Sequence, residues 1–244
     1  MRAGLGLLVV AALAAGAAHA QHEAELDHAN NNVANTQSLQ RGARYFVNYC
    51  LGCHSAQYVR YNRLAEDLQL TEDQLLENLM FTGERPFDTM SVAMDSNDAA
   101  RWFGTAPPDL SLIARSRGVD YLYTFLQSFY VDESSPTGVD NVVLEGTAMP
   151  HVLWELQGIQ EAVYEPDSER EGEEIMVGLE LASPGAFSEE EFDEVVRDIV
   201  NFLDYIAEPI QLKRQSLGIR VIAFLLVLLL ISYMLKREIW KDVE

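Results

Sequence analysis

Cys50-Leu51-Gly52-Cys53-His54 is the stretch from which the fold of this chain follows. Two cysteines three residues apart lie about one helical turn from each other, and a histidine follows the second. Cys-x-x-Cys-His is the attachment signature of c-type haem. The spacing has a physical reason: the two sulfurs can meet the two vinyl groups on one porphyrin edge, while His54 offers its imidazole to the iron as an axial ligand. A zinc site would need four ligands, usually a second Cys/His pair. Cys50 and Cys53 are the only cysteines in 244 residues, so neither a second pair nor a disulfide framework can be built. A thioredoxin-like redox pair belongs beside a βαβ pattern. Here Leu39, Ala43, Phe46, Val47 and Cys50 recur at helical spacing, which predicts a helix leading into the motif.

A six-coordinate haem needs a second axial ligand. Met80, Met90, Met94, Met149, Met176, His22, His28 and His151 are the candidates in the mature chain. Most methionines are packing residues. Met149 stands apart because Gly146-Thr147-Ala148-Met149-Pro150 forms a tight loop after a long excursion from His54, with His151 and Met94 next in order. Met/His ligation raises the reduction potential and leaves no open iron position, which suits electron transfer rather than oxygen chemistry.

Residues 1–20 have the form of a secretory signal, with Arg2 at the start, an apolar run over 5–15 and Ala18-His19-Ala20 as a cleavage site. Residues 217–235 are apolar apart from Gly218, Arg220, Ser232 and Tyr233, enough at about 1.5 Å per residue to span the ~30 Å of a bilayer core. Lys236, Arg237 and Trp240 follow at the interface. The expected organisation is a cleaved signal over 1–20, a periplasmic haem domain over 21–216, a single-pass inner-membrane anchor over 217–235 and a cytoplasmic tail over 236–244. Export places the haem where its attachment chemistry is expected. With 38 acidic residues against 17 basic ones the net charge is −21, which sets nucleic acid aside and favours basic protein partners.

The middle of the chain predicts a mainly α fold. Thr71-Glu72-Asp73-Gln74 opens a short helix, Asp109 caps one running to Arg115, and Asp120 caps a helix over 121–130. Residues 81–108 read as loop and 161–180 as an acidic, turn-rich stretch. Ser188-Glu189-Glu190-Glu191 is a capping box before an amphipathic helix with Phe192, Val195, Val196, Ile199, Val200, Leu203 and Ile206 on its apolar side.

Several blocks together resemble the cytochrome c1 family, the haem subunit of the ubiquinol–cytochrome c reductase (cytochrome bc1) complex, in its bacterial form. They are Arg41-Gly42, Phe46 and Cys50 to His54; Ala106-Pro107-Pro108-Asp109-Leu110-Ser111 continuing to Arg117; Asp120-Tyr121; Pro136-Thr137-Gly138-Val139; Ala148-Met149-Pro150; Ala207-Glu208-Pro209; and the C-terminal anchor. The resemblance implies a cytochrome c-like haem domain with loop insertions, holding one covalently bound haem c through Cys50 and Cys53. It implies His54 and Met149 as axial ligands, Arg117 and Tyr121 on a haem propionate, and Pro107, Pro108 and Leu110 along the haem pocket. It implies as partners a cytochrome b subunit, a Rieske iron–sulfur protein as electron donor and a cytochrome c as acceptor, within a dimeric membrane complex whose quinol chemistry resides in another subunit. Trp102-Phe103-Gly104 departs from the small polar run of mitochondrial relatives, and 161–194 is either an acidic docking surface or a solvated insertion. Two other classes are a free-standing membrane-tethered cytochrome feeding a terminal oxidase, and a haem sensor or peroxidase with an open sixth site.

Cleavage after Ala20 predicts that mass spectrometry of the N-terminal peptide from isolated membranes finds Gln21 at the start. A chain beginning at Met1 would instead retain the apolar segment as a second anchor.

Overall fold

The computed structural model describes residues 25–92, 94–166 and 174–241. The signal segment, His22, the middle of the acidic stretch and the end of the tail lie outside the described residues.

Asn35 opens helix α1 (Thr36–Tyr45) as its N-cap, the side chain accepting from the Ser38 N–H at 3.2 Å. This satisfies one of the donors that the first turn leaves without a partner. The helix continues into a π-helical turn, Phe46–Cys50, closed by the Leu51 N–H on the Phe46 carbonyl at 2.9 Å. Single π turns of this kind are frequent at functional sites. The predicted helix into the cysteine motif is therefore present, with a widened last turn.

Helix α1 packs against the long helix α8 (Glu189–Ala207). Both bonds of the Ser188–Glu191 capping box are made, and all seven apolar residues predicted for its inner side are buried. The two helices cross at Gly42. A Cβ there would lie 2.0 Å from the Asp198 carbonyl oxygen and 2.8 Å from Phe202 Cβ, so only glycine admits this approach. Phe46 packs on Phe202 with ring centroids 5.3 Å apart. Asp198 is 3% exposed, and a buried carboxylate is tolerable only when paired. Ser38 Oγ donates to it at 2.6 Å and the Arg41 guanidinium at 2.5 and 2.9 Å.

Between these helices in the chain come β1 (Ala56–Arg60), α2 (Tyr61–Asp67), α3 (Glu72–Asn78), β2 (Thr89–Met90), α4 (Ser96–Phe103), α5 (Ile113–Arg117), α6 (Val119–Gln127), β3 (Phe129–Val131), β4 (Val139–Asn141), α7 (Trp154–Gln157), β5 (Gly158–Pro166) and β6 (Glu174–Pro184). The strands form three antiparallel pairs, β1–β2, β3–β4 and β5–β6. Helix α9 (Gln211–Ile239) follows α8, is long and apolar enough to cross a membrane, and has no buried residue. It extends the predicted apolar run by several residues at each end.

Four local expectations change. Residues 81–108 are not all loop, because Asp95 caps α4 by accepting from Asn97 and Asp98 N–H. Asp120 does not cap α6; Gly118 stands at that position, and the Asp120 carboxylate instead accepts from Ala29 N–H at 3.0 Å and pairs with His28 Nδ1 at 2.8 Å. Asp109 caps no helix; its carboxylate accepts from the N–H groups of Gln57 on β1 and Ser111. The described parts of the acidic stretch are two antiparallel strands, β5 and β6, held to the body by Gln160 Nε2, which donates to the carbonyls of Gln127 (2.8 Å) and Phe129 (2.9 Å). Their alternation is broken by register shifts after Ile159 and Val163, which hides the strand period from the sequence. Gly158, at φ +102° with the Ser183 carbonyl 2.2 Å from where a Cβ would sit, forms the base of the pair.

Gly42→Ala forces two backbones apart and should cost about 3 kcal/mol, read as a lowered midpoint in a far-UV circular dichroism melt of the solubilised protein. An unchanged melt would mean that α1 and α8 do not meet at this position.

Candidate haem site

The π turn delivers Cys50 to the core, where the chain folds back on itself: the N–H groups of Cys53 and His54 both donate to the Cys50 carbonyl, at 3.0 and 2.8 Å. Both thiols are free. Burial, with a smaller contribution from Cys53, pushes the Cys50 thiol up to about 12. A thiol so raised is no thiolate nucleophile, which weighs against a redox-active pair. Among the described residues no three His, Cys, Asp or Glu side chains gather as a metal-ion site.

Residues 106–111 run alongside the motif and orient its histidine. His54 Nδ1 donates to the Pro108 carbonyl at 2.8 Å. Since a carbonyl only accepts, the proton is on Nδ1 and the Nε2 lone pair is left for a metal. Burial lowers the His54 pKa, opposed by the Pro108 bond and by Asp109, so the ring is held in its ligating form. Leu110 N–H donates to the Ser55 carbonyl (2.8 Å), Gln57 N–H to Asp109 (2.9 Å) and Tyr58 N–H to Ser111 Oγ (3.1 Å). Leu110 is half-buried against the core, whereas Pro108 is exposed and contributes its backbone.

The loop bearing Met149 is built by two buried side chains that sequence reasoning did not single out. The Asp140 carboxylate accepts from the N–H groups of Asn141 (2.8 Å), Gly146 (2.8 Å) and Thr147 (3.2 Å). Asn141 Oδ1 accepts from Val143 N–H (2.9 Å) and Leu144 N–H (3.3 Å), while its Nδ2 donates to the Phe125 carbonyl (2.8 Å). Asp and Asn side chains that accept from nearby backbone are the usual means of fixing such turns. An Asp-Asn pair ahead of a Gly-Thr turn was the available signal. Met149 is half-buried against the same core that contains Cys50 and Leu51.

The other candidate ligands among the described residues lie as follows. His28 is at the surface with its Nδ1 on Asp120. Met90 is 0% exposed on β2 opposite Ala56, and Met176 lies on β6 opposite Tyr164. Met80 packs against the core and Met94 is half-buried near α4. His151 is buried, with its ring stacked on Phe129 at 5.0 Å and 7°.

Arg117 and Tyr121 are brought together, the guanidinium lying 5.6 Å from the ring centroid. Among the described residues no carboxylate pairs with Arg117, which leaves the cation available to an anionic group. Pro107 is half-buried in the same run as Pro108.

The family model described as the Cytochrome C1 family matches residues 28–243. The chain belongs to the cytochrome c1 family. It is 51% identical over 219 residues to the cytochrome c1 of Allochromatium vinosum, covering 90% of each chain. It is 43% identical over 239 residues to a Nitrosomonas europaea protein named ammonia monooxygenase gamma subunit, covering 98% of this chain and 97% of that one. The mitochondrial cytochrome c1 haem protein of Neurospora crassa is 29% identical over 84% of this chain and 62% of its own. Cytochrome c1 proteins are membrane-anchored haem proteins of electron transport, and the free thiol pair, the oriented His54 and the apolar helix α9 fit such a group and such an anchor.

Asp140→Ala strips a buried acceptor from three loop N–H groups and should destabilise the domain by roughly 2–3 kcal/mol in denaturant unfolding. Asp140→Asn keeps one acceptor oxygen and should recover part of the loss. Equal stability of all three proteins would contradict this account of the loop.

Proposed function

We propose that the chain is the electron-transfer subunit of a respiratory ubiquinol:cytochrome c oxidoreductase, taking one electron from a Rieske iron–sulfur protein and passing it to a cytochrome c. The observation that carries this is the placement of Cys50 to His54 against 106–111 in a chain of the cytochrome c1 family. A bound c-type haem supplies the one-electron chemistry of its iron. Cys50 and Cys53 would hold it through two thioethers. His54, directed by Pro108, would be its proximal ligand, and Met149, carried on the loop that Asp140 and Asn141 shape, would be the second. Arg117 and Tyr121 bind a propionate, with Pro107 and Leu110 along the pocket edge. No side chain is needed as acid or base, because no substrate bond is made or broken.

In this proposal 1–20 is removed on export, the haem domain of 21–216 lies on the periplasmic side of the inner membrane, and α9 carries 217–235 across it to a short cytoplasmic tail. A cytochrome b subunit performs the quinol chemistry, and the complex is dimeric. The relative from Nitrosomonas bears the name of a different assembly. A free-standing carrier would share the haem and the anchor. The subunits that accompany the chain decide among the three.

Gentle solubilisation of membranes should yield this chain with a b-type haem subunit and a Rieske protein. Recovery as a lone haem protein without quinol-linked activity would overturn the proposal. Met149→Leu should abolish the long-wavelength charge-transfer band of a methionine–iron bond while Cys50 and Cys53 keep the haem covalently attached, seen as haem staining on a denaturing gel.

A further inference from the structure

His151 stands two residues beyond Met149 and is 8% exposed. A row of rings reaches it. Tyr121 stacks on Phe125 at 6.2 Å and 6°, Phe125 meets Phe129 edge-on at 5.1 Å, and Phe129 stacks on His151. The polar edge of the imidazole faces the Gln157 side chain and the Gly158 backbone. His151 Nε2 and Gln157 Oε1 are both buried, and neither has a hydrogen-bond partner among the described residues. Gln157 is itself anchored, its Nε2 donating to the Gln127 carbonyl at 2.8 Å. A leucine would fill this slot without the cost of burying ring nitrogens. A flat ring does one further thing: it stacks on Phe129.

We propose that His151 is a positioning residue, whose ring, wedged between Phe129 and Gln157, fixes the turn after Met149 and so the direction in which Met149 presents its sulfur to the haem iron. This rests on the assignment of Met149 as second axial ligand made above. The loop is then clamped at both ends. Asp140 and Asn141 hold its start on β4, and His151 holds its end on β3, the strand paired with β4. Asp140 reaches forward as far as the Gly146 and Thr147 N–H groups, so the least-held part of the loop is 148–150. Val142, Leu144 and Glu145 are exposed, and the Met149 N–H makes only a long bond to Thr147 Oγ1 at 3.4 Å. Because Met/His ligation raises the reduction potential, a thioether that leaves the iron for part of the time lowers it and opens a coordination position to small ligands.

The test uses the full-length chain in its native membranes, with haem content established first by staining. His151→Ala should keep the covalent haem but lose part of the methionine–iron band, lower the midpoint potential and raise carbon monoxide binding to the reduced haem several-fold. His151→Phe keeps a flat ring on Phe129 and should stay near the parent on all three readouts. Phe129→Leu removes the other half of the stack and should reproduce the alanine result, which keeps the proposal testable if His151→Ala fails to accumulate. An unchanged band, potential and carbon monoxide response in either His151→Ala or Phe129→Leu would overturn it. So would His151→Phe behaving like His151→Ala. Met149→Leu separates the two levels. If it retains the band, the ligand assignment falls and this proposal with it; if it loses the band while His151→Ala is normal, only the positioning role falls.

Discussion

Helices α1 and α8 meet backbone to backbone at Gly42, with no room for a methyl group against the Asp198 carbonyl, and the position of the cysteine motif depends on that crossing. The approach brings Asp198 into the core as a charge. Its partners Ser38 and Arg41 both come from α1, so the pairing also sets how far one helix has slid along the other. Phe46 on Phe202 fixes the rotation at the last turn before Cys50. A buried carboxylate with full hydrogen bonding adds less to stability than to uniqueness of the packing. Here that uniqueness is handed down α1, through the π turn, to the two thiols.

The remainder of the site is assembled from loops, and the loops are built on the same device used repeatedly. Asp140 and Asn141 each turn one side-chain oxygen onto two or more backbone N–H groups, and Asp109 turns one oxygen onto each of two. Such groups replace the missing strand or helix partner, so an irregular segment is held as firmly as a regular one. The backbone that meets His54 and the backbone that carries Met149 are thereby fixed by acceptors inside their own segments, independently of any helix face.

The helical framework was legible because its signals are local. Thr71 and Ser188 cap the helices that their spacing announces, and the stripe from Phe192 to Ile206 is the face that α8 buries. The expectation of a haem at Cys50 to His54 also came from spacing alone. What stayed hidden depends on contacts distant in sequence. Asp120 has the chemistry of a cap, yet its carboxylate is taken by residues some 90 positions away. The β5–β6 pair joins strands rich in glutamate, with two register shifts that erase the alternation a strand is recognised by. Leu39 to Cys50 read as one regular helix, and no periodicity argument separates an α turn from a π turn of five residues. Asp140 and Asn141 were not singled out, because their role lies in bonds to the N–H groups of 143, 144, 146 and 147 that composition does not announce.

The join between α8 and α9 bears on how such a domain trades with its surroundings. Only Glu208, Pro209 and Ile210 separate the two helices, a segment that spans about 10 Å at full stretch. It is further shortened, because Gln211 N–H donates to the Glu208 carbonyl at 3.0 Å and the Glu208 carboxylate grips the Arg214 guanidinium with both oxygens. Proline removes one of the few remaining soft torsions. A leash this short allows no reeling in and out. With α9 held in a membrane, the domain is kept at a set height over the lipid, like a mooring post.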